Sequence, residues 1–153
     1  MSFSGGCQCW AIRFRAGRLG RASICHCRMC QKAFGGFFGP YVDAFELEWT
    51  RGAPKYFESS NQARRGFCGD CGTQLSFQAE GSAPNIAIGA FDDPRSIAPE
   101  LQIGLDAKLP YVDDLADLPH RSAAEEEEAA PYYANVVSRQ HPDHDTEAWP
   151  PKA

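Results

Sequence analysis

The sequence predicts a mainly β protein with one short helix. Segments rich in aromatic and β-branched residues alternate with glycine, proline, asparagine and aspartate, which is typical of strands joined by turns. The seven cysteines all fall within the first 71 residues and form three close-set groups. A chain of 153 residues with 43% hydrophobic composition is long enough to bury a core of its own, so we expect one globular domain.

The strand candidates follow one another along the chain. WAIRFRA (10–16) and RASIC (21–25) lie around the turn-prone Gly17 and Gly20. RMCQKAF (28–34) contains no helix-breaking residue and ends at two glycines, so this segment predicts the helix. Further strands are predicted in FFGPYVDAF, FELEW, KYFES, QLSFQAE, NIAIGAF and LQIGL.

The composition changes after Pro119. Residues 121–153 contain four consecutive glutamates and four prolines, with little apolar periodicity. We therefore predict a domain over residues 1–120, which holds all seven cysteines, and an acidic, proline-containing tail over residues 121–153. The tail is expected either to be disordered or to form a homodimer by lying along a second subunit. The side chains available for that contact are Tyr132, Tyr133, Val136, Val137 and Trp149.

The charge pattern restricts the classes of partner. Net charge is −5, but residues 1–71 hold 10 Lys and Arg against 5 Asp and Glu. The acidic total argues against nucleic acid as a partner, whereas the basic cysteine-containing half favours an anionic small ligand. No apolar run reaches the 18 residues that a membrane helix needs, and no export signal is evident. We expect a cytoplasmic protein.

The cysteine spacing predicts two metal sites. A structural zinc site is normally closed by four ligands, and the turn FCGDCGT supplies Cys68 and Cys71 as one pair. Cys7 and Cys9 lie two apart in an extended segment, face the same way and supply the other pair. Cys25, Cys27 and Cys30 then remain. Three ligands with a vacant fourth position are typical of a catalytic zinc.

Two other arrangements remain open at this stage. His26 would be the fourth ligand of the second site if its side chain turned toward the cysteines, although in an extended segment it points away from them. Alternatively, one sulfur of the Cys7 and Cys9 pair would close the second site and leave the first one short. Spacing alone does not separate these arrangements.

Three segments carry a family resemblance. GGCQCWAIRF, CHCRMCQKAFGGFF and FCGDCGTQLSF, followed by IAIGAFDDP and PELQIGLDAKLPYVDDLADLPH, resemble the glutathione-dependent formaldehyde-activating enzymes, a group that includes the centromere protein V domain. The resemblance implies a β-tent fold of layered antiparallel sheets, a structural zinc on Cys7, Cys9, Cys68 and Cys71, and a catalytic zinc on Cys25, Cys27 and Cys30. The chain departs from the family pattern at Trp10, Gly36-Phe37, Gln102 and Gly104.

The activity that the resemblance implies is formation or cleavage of the carbon–sulfur bond of S-(hydroxymethyl)glutathione. The partner is then a small thiol such as glutathione, whose carboxylates suit cationic side chains. The nearest cations in sequence are Arg28, Lys32, Arg64 and Arg65, which we predict to bind the ligand. The alternative function is a non-catalytic, zinc-stabilised protein-interaction module.

Overall fold

Two β-sheets form the body of the protein in the computed structural model, which describes residues 2–150. Within these residues the smaller sheet consists of β1 (Phe3–Gly6), β2 (Arg13–Ala16) and β5 (Glu48–Arg51), in that order. The larger sheet runs in the order β10 (Leu101–Ile103), β3 (Arg18–Cys25), β4 (Gly39–Phe45), β9 (Asn85–Ala87), β8 (Gln74–Ala79), β7 (Ala63–Phe67) and β6 (Lys55–Ser60). The predicted mainly β fold of layered sheets is confirmed.

Neighbouring strands pair antiparallel, with one exception among the described residues: β10 runs parallel to β3. In this pair Ile103 lies opposite Cys25, and the backbone N–H of His26 donates to the Ile103 carbonyl at 2.9 Å. The parallel pair therefore brings the chain after β10 to the first cysteines of the three-cysteine group.

One hydrophobic core contains buried residues of both sheets. The ring of Phe14 on β2 makes edge-to-face contacts with Trp49 and Phe91, with ring centroids 5.8 and 5.1 Å apart. Such contacts add to the free energy gained by removing the rings from water. Gly5 on β1 permits this packing, because a Cβ there would lie 2.2 Å from the Ala90 carbonyl oxygen.

The predicted helix is confirmed as α1 (Arg28–Phe34). Cys27 is its N-cap, and its sulfur accepts a hydrogen bond from the Cys30 N–H at 3.4 Å. The helix ends at Gly35, whose φ of 60° is the left-handed conformation that glycine adopts most readily. Capping at both ends fixes the relative positions of Cys27 and Cys30, one helical turn apart.

Some elements differ from the sequence-based expectation. β1 and β7 were not predicted, because FSGG and ARRGF lack the aromatic and β-branched alternation of the other strands. NIAIGAF forms only the short β9 and then a 3-10 helix over Ile88–Ala90. Further 3-10 turns cover Pro94–Ser96, Leu105–Ala107 and Val112–Asp117.

The acidic tail contains a second helix, α2 (Ala123–Ala134), that was not predicted. Ser122 and Glu125 form a capping box at its start, a signal already present in the sequence RSAAE. Tyr132, Tyr133, Val136 and Val137 are exposed. Within residues 2–150 neither helix has the length and apolar character needed to cross a membrane.

The end of the tail returns to the smaller sheet of its own chain. His141 is buried, and its backbone N–H donates to the Gln8 carbonyl at 2.8 Å. Asp145 lies 2.8 Å from the guanidinium of Arg13, which also holds Asp92 at 2.6 Å. Trp149 packs edge-to-face on His141. The homodimer through the tail stays a prediction, but Trp149 already has a partner within its own chain.

We expect Asp145→Asn to lower the melting temperature by roughly 2–4 °C, because the buried Arg13 would lose one of its two carboxylates. Asp143→Asn is the matched control, since it removes the same charge from an exposed position two residues away. Thermal unfolding of both variants checks the prediction. Equal shifts would show that the tail does not dock on Arg13 in solution.

Candidate metal centres

Four cysteines meet at one end of the two sheets. Cys7 and Cys9 lie between β1 and β2, and Cys68 and Cys71 lie between β7 and β8. Their Sγ atoms all lie within 4.8 Å of one another, with Cys7–Cys9 at 3.6 Å and Cys9–Cys68 at 3.7 Å. Tetrahedral zinc with Zn–S bonds of about 2.3 Å requires sulfurs about 3.8 Å apart. This four-cysteine cluster therefore fits a closed zinc site.

Hydrogen bonds orient the sulfurs of this cluster. The Ile12 N–H donates to Cys7 Sγ at 3.2 Å, and the Thr73 hydroxyl lies 3.1 Å from Cys71 Sγ. Burial raises the pKa of Cys71, but hydrogen bonds from the side chain and backbone of Thr73 outweigh burial and lower this pKa to about 6. Burial raises the pKa of Cys7 and raises that of Cys9 to about 12, so a bound metal would have to displace the protons of these two thiols, whereas Thr73 favours the thiolate of Cys71.

Three cysteines meet at the start of α1. Cys25 ends β3, Cys27 caps the helix and Cys30 lies in its first turn. Their Sγ atoms also lie within 4.8 Å of one another, and Cys30 is buried whereas the other two are half-buried. Three sulfur donors suit zinc or another thiolate-binding metal. The three-cysteine cluster therefore fits a second metal ion with a vacant coordination position.

The side chain of His26 has a different environment. It is fully buried, its Nε2 lies 2.8 Å from Gln102 Oε1, and its ring contacts Phe38 edge-to-face. Its nitrogens are not among the ligand atoms that gather within 4.8 Å around Cys25, Cys27 and Cys30. Cys7 and Cys9, for their part, both gather with the 68 and 71 pair. The cysteine groups thus divide as four and three.

Gln31 fastens a loop to the three-cysteine cluster. This buried amide donates to the His26 carbonyl at 2.6 Å and to the Ala107 carbonyl at 2.9 Å. The fastened loop contains Gly104, whose φ is +67°, and a Cβ there would lie 3.1 Å from the backbone nitrogen of Cys27. The departure from the family pattern at Gly104 thus leaves the surroundings of Cys27 free of a large side chain.

Three of the four predicted ligand-binding cations line one cavity. It has a volume of about 420 Å³ and lies between α1 and the β6–β7 hairpin. Its lining consists of Arg28, Met29, Lys32, Ala33, Phe57, Ser59 and Arg65. Arg64 lies elsewhere, exposed, bonded to Gln78 and stacked over Tyr56. Neighbouring residues of a strand point to opposite faces, which separates Arg64 from Arg65.

Arg65 connects this cavity to the three-cysteine cluster. Its guanidinium donates to Cys30 Sγ at 3.4 Å and to the Tyr41 hydroxyl at 3.0 Å. Burial raises the pKa of Cys30 to about 12 although Arg65 opposes the shift, so without a metal this thiol keeps its proton. The pKa of Cys27 is lowered. Burial raises it, but hydrogen bonds from the Cys30 N–H and from Cys25 outweigh burial. Tyr41 and Gln31 were not predicted as site residues.

The part of the chain that holds both cysteine clusters matches a known protein family. The profile of the family described as glutathione-dependent formaldehyde-activating enzyme matches residues 2–106, more than half of the chain, and includes all seven cysteines. The chain belongs to this family. Among curated proteins, none matches it significantly.

A solved structure supports the fold. The crystal structure of a Rhodobacter sphaeroides protein matches with a TM-score of 0.54 and 20% identity. The match covers 65% of this chain and 98% of the other. At this identity the likeness shows the fold alone, and the match says nothing about substrate.

Proposed function

We propose that this member of the glutathione-dependent formaldehyde-activating family makes or cleaves the carbon–sulfur bond of a thiol–aldehyde adduct, as a carbon–sulfur lyase of the S-(hydroxymethyl)glutathione type. The observation that carries the proposal is the three-cysteine cluster, for which no fourth Cys, His, Asp or Glu ligand gathers among the described residues. The cluster lies beside a cavity with a basic rim. A metal site with a vacant position next to a cationic cavity suits an anionic thiol.

The reaction needs no change of oxidation state. In the forward direction the thiol sulfur adds to the carbonyl carbon and forms a C–S bond. The C=O π bond and the S–H bond break, and the carbonyl oxygen takes up the thiol's proton to become a hydroxyl. Zinc held by three thiolates carries one net negative charge, so the chemistry that it supplies when bound is the capture of a thiol as thiolate, not strong polarisation of the carbonyl.

The residues of the cavity have a binding role in this proposal. Arg28 and Lys32 are exposed on one face of α1, where their charges attract the carboxylates of glutathione. Met29 and Phe57 provide the apolar part of the lining. Binding in this cavity holds the thiol close to the three-cysteine cluster. The thiol then meets the metal site in a fixed orientation and not by a random bimolecular encounter.

The test is calorimetry of glutathione binding to protein whose two sites have been measured for zinc. We expect protein with both sites filled to bind glutathione at least about tenfold more tightly, about 1.4 kcal/mol, than protein that has lost the zinc of the three-cysteine cluster. Cys27→Ser should remove this gain. S-methylglutathione, which has no free thiol, is the matched control and should bind equally to both forms.

Equal binding of glutathione to the two forms would overturn the proposed role of the metal. If neither form binds glutathione or a simpler thiol, the alternative of an interaction module becomes the better explanation. The two results are distinguishable, because the first retains binding in the cavity and the second does not.

A further inference from the structure

Arg65 is a buried cation without a carboxylate partner. Its side chain is only 4% exposed, and Phe77 packs with its ring centroid 5.0 Å from the guanidinium carbon. In the part of the chain that the structure describes, no carboxylate lies within 4.0 Å of this guanidinium. An arginine removed from water normally has an anion beside it, because burying an unpaired charge is costly.

The anion that Arg65 lacks is available in the three-cysteine cluster. Its Nη2 donates to Cys30 Sγ, and Cys30 is as deeply buried as Arg65 itself. Three thiolates around a divalent ion carry one net negative charge, and one guanidinium cancels it. The buried Arg13 differs, because two carboxylates surround it.

Two of the five N–H groups of Arg65 donate to partners within the protein. Nη1 donates to the Tyr41 hydroxyl, Nη2 donates to Cys30, and Nε is buried with no partner among residues 2–150. The guanidinium itself is buried, and its two donated hydrogen bonds hold it between Tyr41 and Cys30. Lys32, in the lining of the same cavity, is exposed and its side chain makes no hydrogen bond or ion pair among residues 2–150, whereas the exposed Arg28 donates through Nη1 to Gln31 Oε1.

We propose that Arg65 is the internal counter-ion of the Cys25, Cys27 and Cys30 site: a positioning residue that orients Cys30 and neutralises the metal-bearing cluster. The inference rests on the proposed function only for the presence of the metal, and it does not depend on which thiol binds. Tyr41 fixes the guanidinium from the opposite side.

The experiment measures metal affinity at each site. Full-length protein is treated with a mild chelator until one zinc per chain has left and is then titrated with Co²⁺, whose absorption bands report tetrahedral thiolate ligation. We expect Arg65→Met to weaken Co²⁺ binding about 10- to 100-fold, the usual effect of removing a group that supports a ligand. Arg65→Lys, which keeps the charge, should recover most of this affinity. The zinc that remains in the four-cysteine cluster is the internal control.

Three results are distinguishable. If wild-type protein takes up no Co²⁺, the proposed metal site and the role of Arg65 both fail. If wild type, Arg65→Met and Arg65→Lys bind Co²⁺ equally, the counter-ion role is overturned and the proposed function survives. Should Arg65→Met not fold, Arg65→Gln removes the charge and keeps a polar side chain beside Tyr41: Co²⁺ binding at least about tenfold weaker than in Arg65→Lys supports the proposal, and equal binding of the two variants contradicts it.

Discussion

Cys68→Ser is expected to lower the melting temperature by more than about 10 °C and to reduce the yield of soluble protein, whereas Cys30→Ser should cost only a few degrees. Cys68 belongs to the four-cysteine cluster, which joins the β1–β2 and β7–β8 turns and so links the two sheets. Structural zinc contributes its binding energy to folding, on the order of 10 kcal/mol in small zinc domains. The three-cysteine cluster joins residues within a span of only six, Cys25 to Cys30, so its metal orders much less of the chain.

Thermal unfolding and zinc content, measured on the same samples, check this prediction. Cys68→Ser should retain less than one zinc per chain, and Cys30→Ser should retain about one. Cys30 and Cys68 are both buried, so the loss of a buried sulfur does not explain a difference between them. Equal or reversed losses of stability would mean that the division into a structural and a second, open site is incorrect.

The sequence was sufficient to predict the strands whose patterns match their environment. β4 comes from a segment rich in apolar and aromatic residues and buries Tyr41, Val42 and Ala44, and RMCQKAF has no helix breaker before Gly35. β1 and β7 were missed because their pairing is determined by distant partners: Gly5 lies opposite Phe14, and Gly66 lies opposite both Tyr56 and Ser76. Glycine at these positions lets the neighbouring strands and side chains approach closely, and local strand propensity does not predict such a position.

The cysteine clusters could be predicted because metal ligands leave a spacing signature along the chain. The sequence could not predict which way the basic side chains point. Arg64 and Arg65 are adjacent in sequence, yet the register of β7 against β6 and β8 turns Arg65 inward to Cys30 and Arg64 outward to Gln78. The role of Gln31 could not be predicted either. Its hydrogen-bond partners are the backbone carbonyls of His26 and Ala107, which only the fold brings close to it.

Lys32→Glu is expected to weaken glutathione binding to the zinc-loaded protein about 10- to 100-fold. Lys32 lies on the exposed rim of the cavity, and its side chain makes no hydrogen bond or ion pair among residues 2–150. The other two cations of the lining have partners in the protein, since Arg28 donates to Gln31 and the buried Arg65 donates to Cys30. A glutamate in place of Lys32 would repel the carboxylates that the lysine attracts. The loss should shrink as salt is added, since an exposed charge pair is screened within about 10 Å at 0.1 M.

Arg64→Glu is the matched control for Lys32→Glu, because it reverses one exposed charge outside the cavity. It should change glutathione binding less than about threefold. The second control is the ligand: 2-mercaptoethanol carries no carboxylate, so its binding to the two variants should be equal. Calorimetry with both thiols on the wild type and the two variants measures these differences. Equal loss of glutathione binding in the two variants would indicate a general effect of net charge, and loss of both thiols in Lys32→Glu would indicate damage to α1 and the cysteines that it carries.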